Sequence, residues 1–169
     1  LNDKQVLTAY SFDGYWKDVG TIESLWEANM DLLQENAPID LHDKKWRIFA
    51  RNPGLVPHYI AKGAVIKDTL VTEGCEIYGN VSHSVIFAGV TIEEGAKVID
   101  SVIMPGSTIK RGAIVRRAIV AENATIGAGT IVGEETGNIA VVGHDITLPA
   151  GVSVKAGQQV DENTTFDAE

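Results

Sequence analysis

Residues 98–131 read VIDSVIMPGSTIKRGAI followed directly by VRRAIVAENATIGAGTI, two seventeen-residue copies with few letters in common and one order of chemical types. Working backwards adds VSHSVIFAGVTIEEGAK at 81–97 and the shorter IKDTLVTEGCEIYGN at 66–80. Aligned without gaps, the four copies begin on Ile66, Val81, Val98 and Val115. Their sixth column is Val71, Ile86, Ile103 and Val120, and the twelfth is Ile77, Ile92, Ile109 and Ile126. Four positions further on come second inward candidates: Leu70, Val85, Val102 and Ile119; then Cys75, Val90, Ser107 and Ala124; then Ala96, Ala113 and Thr130. Offsets of zero and four share one face of an extended strand, because side chains alternate with period two. Each copy is therefore expected to be three short strands of about five, six and six residues.

Gly74, Gly89, Gly106 and Asn123, then Asn80, Gly95, Gly112 and Gly129, stand where the chain must turn sharply between those strands. Gly and Asn accept the positive φ that such corners require. Three sides joined this way make a triangular coil of about 17 residues, and stacked coils set each Ile on the next. The expected fold is mainly β, a parallel β-helix of hexapeptide repeats. A period of 3.6 does not reproduce the columns, and β-branched residues dominate them. Hexapeptide repeats resemble the family whose coils wind left-handed, an exception to the usual crossover hand.

The pattern begins in part at Ile60–Ala64 and resumes at Leu148–Val152 and Val154–Gln158, leaving Glu134 to Ile146 as a loop or insertion. The ends of a solenoid need covering, and the residues before 60 are the candidate cover at one end. The organisation expected is a turn and helix over 1–34, a linker over 35–59, and the β-helix over 60–169.

The chain has 169 residues, a formal charge of −9 and 44% apolar residues. That balance supports a packed core and disfavours nucleic acid or an anionic membrane as partner. The chain opens at Leu1 without an initiator Met, as expected of a piece of a longer polypeptide. It shows no signal-peptide pattern and no apolar run of the roughly 20 residues a membrane span needs, which fits a cytoplasmic protein. One cysteine, Cys75, excludes a disulfide framework, and its interior column makes it a buried thiol rather than a nucleophile. Of the basic cluster Lys110, Arg111, Arg116 and Arg117, Lys110, Arg111 and Arg117 lie one coil after Glu93, Glu94 and Asp100 in matching columns, so exposed ion-pair rows are expected. Of the four histidines, only His83 falls in the regular coils, in a column that faces solvent.

Residues 14–33 read GYWKDVGTIESLWEANMDLL. Ile22, Leu25, Trp26, Met30 and Leu33 follow helical spacing, Thr21 suits the N-cap, and Glu23 suits the positive end of a helix. By spacing alone Asp18 is a carboxylate in the turn before that helix. The run Tyr15-Trp16-Lys17-Asp18-Val19-Gly20-Thr21, continued by Leu25-Trp26-Glu27-Ala28-Asn29-Met30-Asp31-Leu32, closely resembles the end of the catalytic domain in the glucose-1-phosphate adenylyltransferases, the ADP-glucose pyrophosphorylases of bacterial glycogen synthesis. Leu70–Cys75 and Ser101–Gly106 resemble the β-helix of that family, and the resemblance extends to about Gly133.

The resemblance implies transfer of adenylyl from ATP to glucose 1-phosphate with Mg²⁺, and Asp18 matches one of two metal-binding aspartates. The second aspartate, the glycine-rich phosphate loop and the sugar-phosphate lysine belong upstream and are missing here, so the isolated chain is expected to be inactive. In the family the β-helix serves assembly into tetramers, of one subunit type or two, and binding of sugar-phosphate effectors. Some members place activator-binding arginines after the last coils. Glu134 to Ile146 contains no Arg or Lys, which leaves Arg116 and Arg117 as the clustered arginines for an effector. Three other readings stand beside this one: another sugar-1-phosphate nucleotidyltransferase or a regulatory paralogue, a hexapeptide acyltransferase, and a non-catalytic oligomerisation module.

Overall fold

A computed structural model describes residues 7–46, 48–49 and 54–166. The repeat builds three parallel six-stranded sheets, each made from one strand of every coil. The first sheet begins with Tyr59–Ile60 and Glu76–Ile77, the second with Val65–Lys67 and Asn80–Ser82, and the third with Leu70–Val71 and Val85–Ile86. Pairing follows the sequence columns. Ile109 sits in register with Ile92 and Ile126, Val98 with Val81 and Val115, and Ile103 with Ile86 and Val120. These side chains are buried in one continuous core running along the prism axis. Phe166 packs against that core near the carboxyl end.

One expected inward column faces the other way. Leu70, Val85, Val102 and Ile119 lie on the outside of the third sheet, packed against Ile22, Leu25, Trp26 and Met30. The inward counterparts of Val85, Val102 and Ile119 are Ser84, Ser101 and Ala118, all fully buried, and Ala140 continues that column in the next coil. The reason is a corner that the glycine pattern did not mark. Asp68, His83, Asp100 and Arg117 have φ between 42° and 48°, and a left-handed residue shifts the alternation of faces by one. Each seventeen-residue coil therefore turns at three such points, not two. Asn80 is not among them: it lies within a strand, and its coil is closed more tightly through Gly79, whose added Cβ would meet the Ala96 carbonyl oxygen at 2.5 Å.

The Ser column handles backbone groups left over at this corner. Ser101 Oγ donates to the Ile99 carbonyl at 2.6 Å and accepts from the Ala118 N–H at 3.2 Å. Ser84 accepts likewise from the Ser101 N–H at 3.1 Å. Ser101→Ala would leave a buried N–H unpaired and is expected to cost about 1–3 kcal/mol, read as a lower midpoint in urea.

The expected loop at Glu134 to Ile146 is shorter than the sequence suggested. Ala140–Val142 and Thr147–Leu148 are regular strands of the third and first sheets. The full sequence copies repeat at 17 positions, as from Ser101 to Ala118, and the short copy at 15, as from Ile66 to Val81. The last full coil repeats at 22, as from Asn123 to Asp145. The added residues all fall at the first corner, between the strands Ile131–Val132 and Ala140–Val142.

The segment before residue 60 does two things. Val56 to Ile60 forms a partial coil through Gly74 N–H to the Val56 carbonyl at 2.7 Å and the Tyr59–Ile60 strand. The helix, in contrast, covers a side of the prism and not its end. It spans Ile22–Met30 and continues as a single 3₁₀ turn over Asp31–Leu33. Thr21 caps it in a reciprocal capping box with Ser24. No helix among the described residues is long and apolar enough to cross a membrane.

Candidate functional site

Asp18 is exposed and points away from the prism interior. Its Oδ1 accepts from the Gly20 N–H at 3.0 Å, which fixes the carboxylate three residues ahead of the capped helix. No bond to Oδ2 is present among the described residues. The carboxylate thus has one oxygen held and one open to a ligand. Mg²⁺ takes one or two carboxylates with phosphate and water oxygens, so Asp18 fits as one such ligand. Among the described residues no three His, Cys, Asp or Glu side chains converge into a complete metal site.

The turn is tied to the helix by a second set of contacts. Lys17 Nζ bridges Asp31 at 3.0 Å and Glu27 at 3.2 Å, and Tyr15 donates to Asp31 Oδ2 at 2.8 Å. The hydrogen bond from Lys17, then that from Tyr15, holds the Asp31 carboxyl below its usual range. The same contact with Asp31 raises Lys17. Asp31 therefore stays ionised and its two partners stay attached through neutral pH. Trp16, by contrast, is 75% exposed beside Asp18.

The helix is joined to the solenoid at one corner. Trp26 Nε1 donates to the Asp100 carbonyl at 2.8 Å, and the Arg117 guanidinium lies 5.1 Å from the centroid of the Trp26 ring. Arg117 Nε donates in turn to the Gly137 carbonyl at 3.2 Å. The expected pairing of Arg117 with Asp100 does not form. Asp100 Oδ1 instead meets His83 Nδ1 at 2.8 Å, one coil away in the same column. Arg116 reaches Glu135 at 3.5 Å, while its Nε is buried without a hydrogen-bond partner. The other expected rows hold: Lys110 pairs with Glu93 at 3.0 Å and Arg111 with Glu94 at 3.3 Å.

Cys75 is buried in its column, and burial pushes its thiol up, away from the thiolate a nucleophile needs. His83 is about half exposed, as its column required. His144 also lies in a coil, beside the corner residue Asp145, because the regular coils resume earlier than expected; burial does not shield it, and its pairing with Asp145 at 3.0 Å raises its basicity. Sequence reasoning missed the Trp26–Arg117 contact. The only trace of it was the departure of Arg117 from a column otherwise made of Asp and His.

Stacked triangular coils with a laterally docked amino-terminal helix define a hexapeptide-repeat β-solenoid. The chain belongs to the family described as GlmU-like, C-terminal hexapeptide, whose pattern matches residues 55–140. Residues 1–35 match a second family, nucleotidyl transferase. The chain is 55% identical over 100 residues to proteins named glucose-1-phosphate adenylyltransferase from Bacillus mycoides (strain KBAB4), Bacillus cereus (strain ATCC 10987 / NRS 248) and Bacillus anthracis. Each alignment covers 59% of this chain and 27% of the relative. The chain thus spans about a quarter of the length of these relatives.

Proposed function

We propose that this chain is the carboxyl-terminal part of an enzyme that transfers adenylyl from ATP to glucose 1-phosphate, giving ADP-glucose and pyrophosphate for glycogen synthesis. The observation that carries the reading is the join itself. A nucleotidyl-transferase segment bearing Asp18 runs through one capped helix onto a hexapeptide solenoid, in chains otherwise similar to adenylyltransferases. In the reaction a phosphate oxygen of the sugar phosphate attacks the α-phosphorus of ATP, and the bond to the β-phosphate breaks. Mg²⁺, when bound, draws charge off the phosphate oxygens. Asp18 supplies one of its carboxylates, oriented by the Gly20 N–H. The remaining groups for nucleotide and sugar come from the upstream body of the enzyme.

In this reading the β-helix serves assembly, as a homo- or hetero-tetramer in the cytoplasm, and regulation by a sugar phosphate. Arg116 carries the effector role better than Arg117, since its buried Nε is unpaired while Arg117 is engaged with Trp26 and Gly137. The test is an assay of the full-length polypeptide with Mg²⁺, several nucleoside triphosphates and several sugar 1-phosphates. ADP-glucose and pyrophosphate are expected from ATP and glucose 1-phosphate, and no product from the isolated 169-residue chain. Preference for GTP with mannose 1-phosphate, or turnover by the isolated chain, would overturn the assignment.

A further inference from the structure

Three features that have no common cause in the repeat meet at one corner. The first is conformational. Arg117 adopts φ 42°, a region that Asn, Asp and His visit far more readily than other side chains. The equivalent residues one, two and three coils earlier are Asp100, His83 and Asp68, which obey that preference. Arg117 does not, and a backbone outlier of this kind points to a use for the side chain. The second is the insertion. The longer coil places all its added residues at this corner, directly against Arg117. Gly137 accepts from its Nε, the Ala140 N–H donates to its carbonyl at 3.1 Å, and Ile139 joins the apolar contact beneath the helix. The third is Trp26, whose ring lies under the Arg117 guanidinium and whose N–H is bound to the same corner one coil earlier.

We propose that Arg117 is a positioning residue: it clasps Trp26 against the solenoid corner, under the strap formed by residues 134–138, and so fixes the turn that carries Asp18. The path is short and continuous. Trp26 lies in the middle of the helix Ile22–Met30. The helix is capped through Thr21 and Ser24, and Gly20 holds Asp18 Oδ1 immediately before the cap. Lys17 and Tyr15 bind the same turn back to Asp31 at the far end of the helix. A shift of the helix on the prism would therefore move the carboxylate with it. Apolar contact with Val85, Val102 and Ile119 holds the helix against the sheet without directional bonds. The Arg117–Trp26 cation–π contact and the directed Trp26 N–H bond add that direction.

The inference rests on the adenylyltransferase reading for its catalytic consequence, and its structural half stands without it. The experiment is Arg117→Asn in the full-length enzyme, with Trp26→Phe as a second variant. Asn accepts the left-handed corner, so the coils are expected to remain intact. Amide hydrogen exchange in residues 18–33 is expected to rise about 10-fold, with the stack at residues 85–132 unchanged. The Mg²⁺ concentration for half-maximal activity should rise several-fold while the KM for glucose 1-phosphate stays near wild type. Trp26→Phe should move both readouts in the same direction. Wild-type exchange over residues 18–33 in Arg117→Asn would overturn the clasp. Raised exchange with an unchanged Mg²⁺ requirement would overturn the positioning of Asp18. A wild-type enzyme that makes no nucleotide sugar would sink the adenylyltransferase reading, and the exchange measurement would still decide the clasp.

Discussion

Ile109→Asp is expected to unfold the middle of the prism. Ile109 is fully buried and stacked in register between Ile92 and Ile126. Removing it forfeits about 2–3 kcal/mol of apolar burial. The carboxyl that replaces it has no donor within an aliphatic column, so it must be buried protonated or force the coil open, at a further cost of a few kcal/mol. The combined loss is about 5 kcal/mol, comparable with the whole stability of many domains. In a solenoid each coil is supported chiefly by its two neighbours, so the defect weakens the stacking on both sides. A fall in Tm of about 10–20 °C follows at this chain length, measured by far-UV circular dichroism. Thr108→Asp, one residue earlier and outward-facing on the same strand, is the control and should shift Tm by only a few degrees. Equal melting of wild type and Ile109→Asp would remove the basis for the stacked-column fold.

Why the interior was readable and the exterior only in part follows from the same residues. The columns of Ile77, Ile92, Ile109 and Ile126 repeat one β-branched type at one spacing, which a parallel stack demands and few other folds would. The pairs Val85-Ile86, Val102-Ile103 and Ile119-Val120 were harder. Two adjacent aliphatics on a strand put one on each face, so both faces of that sheet are covered. Taken for the interior alone, the first member of each pair looks like a core residue. It is instead the seat of the helix, whose apolar face at Ile22, Leu25, Trp26 and Met30 was plain from its spacing while its destination was not. The corner at Asp68, His83, Asp100 and Arg117 was hidden for a different reason. Non-glycine residues there take a conformation that local composition signals weakly. Asp18 is marked only by resemblance, since a carboxylate before a helix start is common. Its support by Trp26 and Arg117 depends on contacts between distant parts of the chain and carries no local mark.

If the proposed adenylyltransferase reading holds, Asp18→Asn in the full-length polypeptide is expected to lower kcat by about 100-fold or more while leaving the fold unchanged. The substitution keeps the size of the side chain and an oxygen able to accept from the Gly20 N–H, which Asp18 Oδ1 now does at 3.0 Å. Asp18 is exposed and Asn can keep its one hydrogen bond, so stability is expected to stay within about 0.5 kcal/mol of wild type. What disappears is the negative charge. A carboxylate holds a hard cation far better than a neutral amide does, and the cation's stabilisation of the transferring phosphoryl group is worth several kcal/mol. Losing about 2.7 kcal/mol of it corresponds to the 100-fold fall. Part of the activity should return at high Mg²⁺, because a weakened site is refilled by mass action while a misfolded one is not. The substitution thus separates a ligand from a helix-start carboxylate. A mere helix-start role predicts a small drop in melting temperature with normal turnover, and that result would take Asp18 out of the chemistry.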